Sequence, residues 1–259
     1  MLIFSHNKHR LKRHFNKDKV LFSYHLGDLD DFYFDKCQWA VDVPDSARLA
    51  EVILVYNGCD LPTVLAFGMT DRFADLLEQM IPLLPMKFYC HFQEKNRNQL
   101  LQNFSENRFG TFHKMKLENF KKIKTDNKDN IIQLDTSHLT QLKELYVNAY
   151  PGNYFVERML ETKKYYGYFD NNKLVSVSGV HVYSDEYEVA VLGNIATNES
   201  YRGQGLSAKV TSRLLEDLTA DNKIVCLNVK ADNETAIALY SKLGFVKVHE
   251  YEEALFTLK

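Results

Sequence analysis

The sequence has no pair of cysteines at the close spacing that zinc sites and thioredoxin-like redox motifs require. The cysteines are scattered along the chain, at Cys37, Cys59, Cys90 and Cys226. This distribution argues against a structural zinc site and suits the reducing interior of a cell. We therefore expect no metal in the protein.

Long apolar runs are also missing. No stretch approaches the ~20 apolar residues of a membrane-spanning helix. The first five residues are followed by the basic segment HNKHRLKRH, not by the apolar stretch of a secretory signal. We expect a soluble, cytoplasmic protein with no membrane partner.

Strong net charge is the third feature that the sequence lacks. Its 32 basic and 34 acidic residues give a formal net charge of −2, so we expect no global attraction to nucleic acid or to anionic membranes. Basic residues and histidines cluster between Ser5 and Asp18, with Phe4, Leu11 and Phe15 at roughly helical spacing. We interpret the cluster as a basic surface helix; a nucleic-acid or membrane arm is the alternative.

The chain of 259 residues is long enough for two domains of modest size. Hydrophobic residues make up 45% and charged residues 25% of it, as in ordinary globular proteins. Residues 118–130, ENFKKIKTDNKDN, are polar and almost free of large apolar side chains, which is typical of a linker. We predict domains at residues 1–125 and 126–259.

The sequence pattern of the first half of the chain predicts a mixed α/β domain. The segments DFYFDKCQWAVDV and AEVILVYNGCDLPTVLAF are rich in β-branched and aromatic residues and are predicted as strands, with a tight turn at Asn57-Gly58. A helix is predicted from Asp71 to Met80. KFYCHF and TFHKMKLENF are further predicted strands, on either side of the short polar helix EKNRNQLLQNF. Cys90, His91 and His113 fall in these strands, where ordinary structural roles outweigh metal ligation.

The second half alternates strands and helices more clearly. Strand IIQLD precedes helices predicted at 137–148 and 154–163, which a break at Pro151-Gly152 separates. Three strands then form a meander: YYGYFD, KLVSVSGVHVY and EVAVLGNIAT. After the next helix come strand KIVCLNVKA and helix ETAIALYSKL, which ends at Gly244, a good C′ residue. FVKVHEYEEALFTL closes the domain with one or two strands.

A glycine-containing turn, Tyr201-Arg202-Gly203-Gln204-Gly205, joins the third meander strand to a helix. The apolar stripe of that helix recurs every four residues, at Leu206, Val210, Leu214 and Leu218. Glycines let the backbone curl around a ligand, and the first N–H groups of a helix attract anions. We interpret the turn as an anion cradle; a simple tight turn is the alternative. A P-loop is excluded because no Lys-Ser/Thr follows the glycines, and a Rossmann fingerprint because the third glycine is missing.

Arg202-Gly203-Gln204-Gly205-Leu206-Ser207 resembles the acyl-CoA pyrophosphate loop of the GNAT N-acetyltransferase superfamily, (Arg/Gln)-x-x-Gly-x-(Gly/Ala). Ser207 departs from the usual Gly or Ala, but serine is small enough for a crowded helix start. A second motif, NVKADNETAIALYSKLGF from Asn228 to Phe245, is similar to the superfamily's strand, asparagine, helix and closing Gly-Phe. The resemblance covers about residues 131–258, and two-lobed members of the superfamily carry an extra N-terminal lobe.

The resemblance implies acetyl-CoA as co-substrate. It implies that the backbone of Ile195, Ala196 and Thr197 pairs with the pantetheine arm, that Asn233 meets the same arm, and that Tyr240 lies near the thioester sulfur. The pyrophosphate would be bound by Arg202, Gly203, Gln204, Gly205, Leu206, Ser207 and Ala208. On residues alone, Asn233 is a helix N-cap and Tyr240 a core aromatic, and these stay as alternatives.

The implied reaction is attack of a neutral amine on the thioester carbonyl. A backbone N–H near Ile195 or Ala196 could stabilise the oxyanion, and Tyr240 could protonate the departing thiolate. The base stays open between Glu188, His181 and a water chain to a backbone carbonyl. In the superfamily the acceptor pocket usually lies where this chain has Tyr150, Asn153 and Tyr154; a loop packed by its own aromatic side chains is the alternative.

We therefore expect an α/β (α+β) protein. A C-terminal GNAT-like mixed sheet flanked by helices is joined to a smaller N-terminal α/β domain, for which our hypothesis is a degenerate copy of the same fold. The expected function is transfer of an acetyl group to a primary amine of a small molecule or peptide, by direct attack in a ternary complex; the alternative is a CoA-binding regulatory module without turnover. The first lobe has no RxxGxG loop, so we expect one cofactor per chain. We expect no nucleic-acid partner, and a homodimer stays open.

Overall fold

Strands and helices alternate along the chain. The computed structural model describes residues 2–44, 48–123, 130–220 and 223–259. The strands are β1 Leu2–Phe4, β2 Cys37–Asp42, β3 Glu51–Tyr56, β4 Thr63–Ala66, β5 Lys87–Phe92, β6 Phe104–Leu117, β7 Ile131–Gln133, β8 Tyr166–Asp170, β9 Lys173–Ser184, β10 Val189–Thr197, β11 Ile224–Lys230 and β12 Phe245–Leu258. The helices are α1 Lys8–Phe15, α2 Ser23–Gly27, α3 Asp31–Phe34, α4 Arg72–Met80, α5 Arg97–Asn103, α6 Leu139–Ala149, α7 Leu206–Thr219 and α8 Glu234–Leu243. Within the described ranges, no helix is long and apolar enough to cross a membrane.

The chain forms two compact units, and neither is one continuous stretch. The first unit comprises residues 1–114, 229–232 and 248–259, and the second comprises residues 115–228 and 233–247. The boundary predicted between residues 125 and 126 falls within 124–129, outside the described residues. Each unit contains β-sheet with flanking helices, which confirms the mixed α/β class.

The first unit contains strands in the order β1-β2-β3-β4-β5-β12-β6, with residues 248–258 of β12 and 104–114 of β6. Strands β2, β3 and β4 are antiparallel neighbours, whereas β4 and β5 run parallel on either side of the α4 crossover. The apolar side of α4 is buried in the core of this unit, at Phe73, Leu76, Leu77 and Met80. The helix predicted there from the sequence is confirmed.

Two details of the first unit differ from the sequence predictions. Asp31–Phe34, predicted as the start of a strand, is helical, because the side chain of Asp30 accepts the Phe32 N–H and caps the helix. Asn57-Gly58 was predicted to form a tight turn, which is wrong. The hairpin register pairs Tyr56 with Thr63, so the connection is the longer segment 57–62.

The second unit contains strands in the order β11-β10-β9-β8-β7, with residues 224–228 of β11. The meander β8-β9-β10 is antiparallel, and β10 runs parallel to β11 on either side of the α7 crossover. The predicted stripe of α7 is buried, at Leu206, Val210, Leu214 and Leu218. The unit therefore repeats the order meander, helix, parallel strand that the first unit shows.

Helices α6 and α7 cover opposite faces of this sheet. On β9, Ser178 accepts a hydrogen bond of 3.2 Å from Thr211 of α7. The next residue, Gly179, points the other way, and a Cβ there would lie 2.2 Å from the ring of Tyr165. The ring of Tyr165 contacts Phe155, which in turn contacts Tyr146 of α6. The α6 face of the sheet is therefore lined with aromatic side chains.

Two predictions near the helix ends of this unit have different outcomes. The helix predicted at 154–163 is wrong, because only Glu157–Thr162 is helical, as a 3₁₀ segment that follows extended Val156. Gly244 is confirmed as the residue after α8, with a left-handed φ of 103°. A Cβ at Gly244 would lie 1.8 Å from the carbonyl oxygen of Asn119, so this backbone approach also requires glycine.

Candidate active site

The turn between β10 and α7 adopts left-handed backbone conformations. Gly203 has a φ of 78° and Gly205 a φ of 72°, a region in which glycine is the favoured residue. A Cβ at either position would meet no heavy atom within 4 Å. The backbone conformation, and not a lack of space, therefore requires these glycines.

The same turn leaves a run of backbone donors open. The N–H groups from Gly203 to Ala208 find no hydrogen-bond acceptor in residues 2–44, 48–123, 130–220 and 223–259; the Lys209 N–H makes the first bond of α7, 3.1 Å to the carbonyl of Gly205. The aligned peptide dipoles of α7 add partial positive charge at this end. The exposed guanidinium of Arg202 is nearby, 3.9 Å from Glu199. Together these groups can bind a phosphate.

The parallel strands β10 and β11 separate part of the way along. Their pairing ends at Leu192 and Leu227, although both strands continue beyond these residues. We call the end of this pairing, together with the open edge of β10 past Leu192, the fork. Ile195, Ala196 and Thr197 lie on the β10 side of the fork, so their edge toward β11 is open in the described structure. This is where the resemblance places the pantetheine arm.

A bulge in β10 lies in the fork. The register with β9 shifts after Gly193, and Asn194 adopts a left-handed φ of 55°, which asparagine tolerates better than most residues. Its Nδ2 donates to the carbonyl of Tyr154 at 3.0 Å and to the hydroxyl of Tyr165 at 2.9 Å. Asn194 is only 2% exposed. Because its buried side chain is hydrogen-bonded to two other segments, Asn194 fixes the shape of the bulge.

His181 of β9 lies against this bulge on the α6 face. A Cβ at Gly193 would lie 2.3 Å from its imidazole ring, so only glycine leaves room for it. The Nε2 of His181 is 3.3 Å from Oδ1 of Asn194. Because Nδ2 of Asn194 donates to the carbonyl of Tyr154, Oδ1 is the acceptor that faces His181. In the tautomer that donates to this oxygen, Nε2 carries the proton and Nδ1 carries the lone pair.

Tyr240 lies on the inner side of α8 and is 8% exposed. Its hydroxyl makes no hydrogen bond with any residue that the structure describes. Burial raises the pKa of Tyr240 well above the ordinary tyrosine value, and the neighbouring Tyr150 raises it further. The phenol therefore stays protonated at physiological pH and can act as a donor.

Asn233 caps the same helix. Its Oδ1 accepts the N–H of Ala236 at 3.1 Å, so the N-cap role predicted from the sequence is confirmed. Its Nδ2 makes no bond to the described parts of the chain. The amide can therefore cap the helix with its oxygen and offer its N–H groups to a ligand.

The three residues predicted for the acceptor pocket have different positions. Tyr150 is 42% exposed and is close enough to Tyr240 to affect its pKa. Tyr154 packs edge-on against His181, with 5.8 Å between ring centroids. Asn153 donates its Nδ2 to the carbonyl of Tyr150 at 2.7 Å and so braces its own turn. Tyr150 and Tyr154 thus lie at the candidate site, whereas Asn153 stabilises its own turn.

Glu188 lies far from the open edge of β10 in the fork. It is exposed, with a φ of 54°, in the turn just before β10. Ile195 lies farther along the same strand, roughly 20 Å away at about 3.3 Å per residue. A carboxylate at that distance cannot take a proton from an amine in the fork.

Sequence reasoning missed Asn194, Tyr165 and Tyr146, which hold the bulge in place. The Tyr146 hydroxyl donates to the carbonyl of Asn194 at 2.8 Å. The dipeptide Gly193-Asn194 inside a strand pattern was a signal for a bulge. Nothing local in the sequence indicated which tyrosines would meet it. In the described part of the chain, no group of His, Cys, Asp and Glu side chains is arranged to hold a metal ion.

Residues 135–245 match the family model described as "Acetyltransferase (GNAT) family". A 76-residue stretch is 37% identical to the [ribosomal protein bS18]-alanine N-acetyltransferase of Escherichia coli and covers 29% of this chain and 49% of that protein. A 78-residue stretch is 36% identical to the mycothiol acetyltransferase of Corynebacterium efficiens and covers 30% of this chain and 26% of that protein. The matches thus span a quarter to a half of these relatives' lengths.

Solved structures share the fold over a larger part of the chain. A putative GNAT acetyltransferase from Novosphingobium aromaticivorans is 16% identical, with a TM-score of 0.62 over 80% of this chain and 88% of that one. A tandem GNAT protein from the clavulanic acid biosynthesis pathway is 12% identical, with a TM-score of 0.59 over 100% of this chain and 98% of that one. At these identities the likeness concerns the fold alone, and it supports a two-domain GNAT-like arrangement.

Proposed function

Because residues 135–245 match the GNAT acetyltransferase family model, we propose that the protein transfers the acetyl group of acetyl-CoA to a primary amine of a small molecule or peptide. One observation carries the proposal. The open N–H groups from Gly203 to Ala208, the open edge of β10 at Ile195 to Thr197 and the unbonded hydroxyl of Tyr240 occur in the second unit, and each would supply a different part of an acyl-CoA site.

The chain's own groups fit the successive parts of acetyl-CoA. The N–H groups of 203–208, with Arg202, would bind the pyrophosphate. The open edge at Ile195, Ala196 and Thr197 would pair with the pantetheine amides as a neighbouring strand does, and Nδ2 of Asn233 would donate to the same arm. Acetyl-CoA supplies the activated acyl group; the protein supplies alignment and charge stabilisation.

The transfer forms a C–N bond and breaks the C–S bond of the thioester. The attacking nitrogen uses its lone pair and loses one proton, and the departing thiolate gains one. We infer that Tyr240 donates to the thiolate. Burial raises the pKa of Tyr240, and it also disfavours the thiolate anion, so both groups favour their protonated forms there. A backbone N–H at the bulge would stabilise the oxyanion, an effect of on the order of 3 kcal/mol.

His181 is the side chain we propose for the amine's proton. Its ring lies on the bulge at Gly193, and in the tautomer whose Nε2 donates to Asn194 its Nδ1 holds the lone pair. The proton would pass to Nδ1 directly or through one water. The relatives' names support the acceptor class, since one is a ribosomal-protein alanine N-acetyltransferase and the other a mycothiol acetyltransferase.

Thiol release from acetyl-CoA across a panel of amines tests the proposal. We expect Tyr240→Phe to lower kcat by roughly a hundredfold, because the acid is lost, while the Kd of acetyl-CoA stays within about twofold. Tyr168→Phe, a matched removal of a tyrosine hydroxyl from β8, should leave both values unchanged. A parent protein that releases thiol with no amine would overturn the proposal.

A second candidate is a CoA-binding regulatory module without turnover. One observation favours it: among the described residues, the hydrogen bonds of the bulge residue Asn194 involve no carboxylate that could serve as a strong base. Calorimetric binding of acetyl-CoA by a parent protein that turns over no amine would select this candidate. Amine-dependent thiol release would eliminate it.

A further inference from the structure

Asn228 on β11 is a half-buried residue whose two side-chain polar atoms are buried without a hydrogen bond. Both its Oδ1 and its Nδ2 are closed off from solvent, and neither has a partner in the described structure. A buried amide left in this state costs on the order of 1–3 kcal/mol for each unsatisfied group. No hydrogen bond holds the carboxamide in place, so it can rotate toward a ligand without losing one.

Asn228 lies where the fork opens. Leu227, the residue before it, makes the last pair with Leu192 of β10. Paired residues on neighbouring strands point to one face of a sheet and their successors point to the other. Asn228 therefore lies on the same face as Gly193, and that face carries the ring of His181. Because Gly193 has no side chain, no β10 side chain separates Asn228 from His181 at this position.

We propose that Asn228 binds the group next to the attacking amine, and that this group is a peptide amide, so that the acceptor is the free N-terminus of a peptide or protein. The proposal rests on the acetyltransferase function proposed above. In it, His181 and Asn228 flank the acceptor: His181 takes the proton of the amine, and Asn228 positions the first peptide group.

An amide is the ligand group that satisfies both orphaned atoms. The carboxamide of Asn228 needs a donor for Oδ1 and an acceptor for Nδ2. A peptide group presents an N–H and a C=O together, whereas a carboxylate has no donor and an ammonium has no acceptor. Apart from His181, the side chains that contact Asn194 or His181 on this face include those of Tyr146, Tyr154 and Tyr165, which are uncharged types. An uncharged peptide group fits them better than the carboxylate of a free amino acid.

The substitution Asn228→Leu removes both polar atoms at similar volume. We expect KM for short peptides with a free N-terminus to rise at least about tenfold, the loss of roughly one good hydrogen bond, with the Kd of acetyl-CoA unchanged. We expect Tm to stay level or rise, because no bond is lost in the folded protein. Asn228→Asp keeps an acceptor and loses the donor, so its KM should fall between those of the parent and the Leu variant.

Asn194→Leu is the matched control for stability. That amide is fully bonded in the bulge and has a left-handed φ, so its replacement should lower Tm clearly. An Asn228→Leu variant that loses Tm to the same extent would assign Asn228 a structural role and overturn the inference.

The acceptor panel separates the two proposals. Alaninamide and sec-butylamine have the same shape around the amine, and only the first has an amide beside it. We expect the parent to prefer peptides and alaninamide, and Asn228→Leu to abolish most of this preference. If amines are acetylated but the preference is absent or survives in Asn228→Leu, this inference fails and the proposed function stands. If no amine is acetylated, the proposed function fails, and this inference fails with it.

Discussion

In each unit a loop joins a strand to a helix, and a parallel strand follows that helix. The two loops differ in whether their backbone N–H groups have hydrogen-bond acceptors. In the first unit the N–H groups of Met69 and Thr70, before α4, both donate to the carboxylate of Glu51, with Thr70 at 2.6 Å. The Gly68 N–H donates to Gln93 at 3.1 Å. In the second unit the equivalent groups, from Gly203 to Ala208, have no acceptor in the described ranges.

The parallel strand pairs of the two units also differ, because one stays paired and the other separates. Strands β4 and β5 stay paired to the end of β4, where Ala66 lies opposite Phe92. Strands β10 and β11 part at Leu192 and Leu227. An internal carboxylate thus occupies in one unit the position that a phosphate is proposed to take in the other, and the first unit has no fork. The comparison supports one acetyl-CoA per chain, and a calorimetric stoichiometry of two would contradict it.

The largest expected effect comes from breaking the internal contact. Glu51 is fully buried, and Glu51→Ala would remove the acceptor of the Met69 and Thr70 N–H groups and open a small cavity. Hydrogen bonds to charged groups contribute about 1.5–3 kcal/mol each, so we expect the free energy of unfolding to fall by on the order of 4 kcal/mol in urea titrations.

Glu78→Ala on the exposed side of α4 is the matched control and should change stability by less than about 0.5 kcal/mol. Added acetate or phosphate should restore part of the stability of Glu51→Ala by binding the freed N–H groups. It should not stabilise the parent through this site. A Glu51→Ala variant as stable as the parent would show that the contact does not matter.

The next effect tests the open loop. Gly205→Val puts a β-branched residue at a φ of 72°, which costs on the order of 2–3 kcal/mol. We expect the Kd of acetyl-CoA to rise by about a hundredfold in calorimetry, since the N–H groups lose their arrangement. Gly152→Val is the control, because a Cβ there meets nothing within 4 Å and its φ is not left-handed. Equal losses in both variants would refute a special role for the loop.

The smallest expected effect concerns a pH dependence that belongs to the first unit. Burial raises the pKa of Glu253 to about 7, although the Tyr251 hydroxyl and Lys114 act to lower it. His91 lies 3.5 Å away, and burial lowers its pKa to about 3, so at neutral pH this contact is not an ion pair.

The raised pKa means that the folded protein holds the Glu253 proton more tightly than the unfolded chain. Its contribution to stability is complete below about pH 4.5 and is lost as the pH rises to about 7. Glu253→Gln keeps an acceptor for Tyr251 without the charge, so it should exceed the parent by about 2 kcal/mol at pH 8 and match it at pH 4. Unfolding titrations at the two pH values measure this. An equal gain at both would exclude titration as the cause.

Sequence patterns predicted the features of the second unit that depend on neighbours along the chain. The stripe of α7, the cap at Asn233 and the C′ residue Gly244 each follow from spacing or from one residue's conformational preference, and each is confirmed. The assignment of Arg202 to Ala208 to acyl-CoA stays a prediction that the open N–H groups support. Local chemistry acts over a few residues, so local patterns can reveal it.

Features that depend on distant contacts were not visible in the sequence. Glu51 meets a loop eighteen residues away along the chain, and no pattern links the two. Asn194 gains its role from tyrosines on other elements. Glu188 looked suitable as a base because it starts the central strand, but strand length carries it away from the fork. The cap at Asp30 overrode the β-propensity of the aromatic residues after it.

The contact between Gly193 and His181 also constrains how the protein can change over generations. With the imidazole in place, no side chain larger than hydrogen fits at 193. A lineage that replaced Gly193 first would displace the ring and the bulge together, whereas one that first shortened residue 181 would free position 193 to vary. The order of the two substitutions therefore decides whether intermediates stay functional, and reconstructed ancestors that have a side chain at 193 should already lack the histidine.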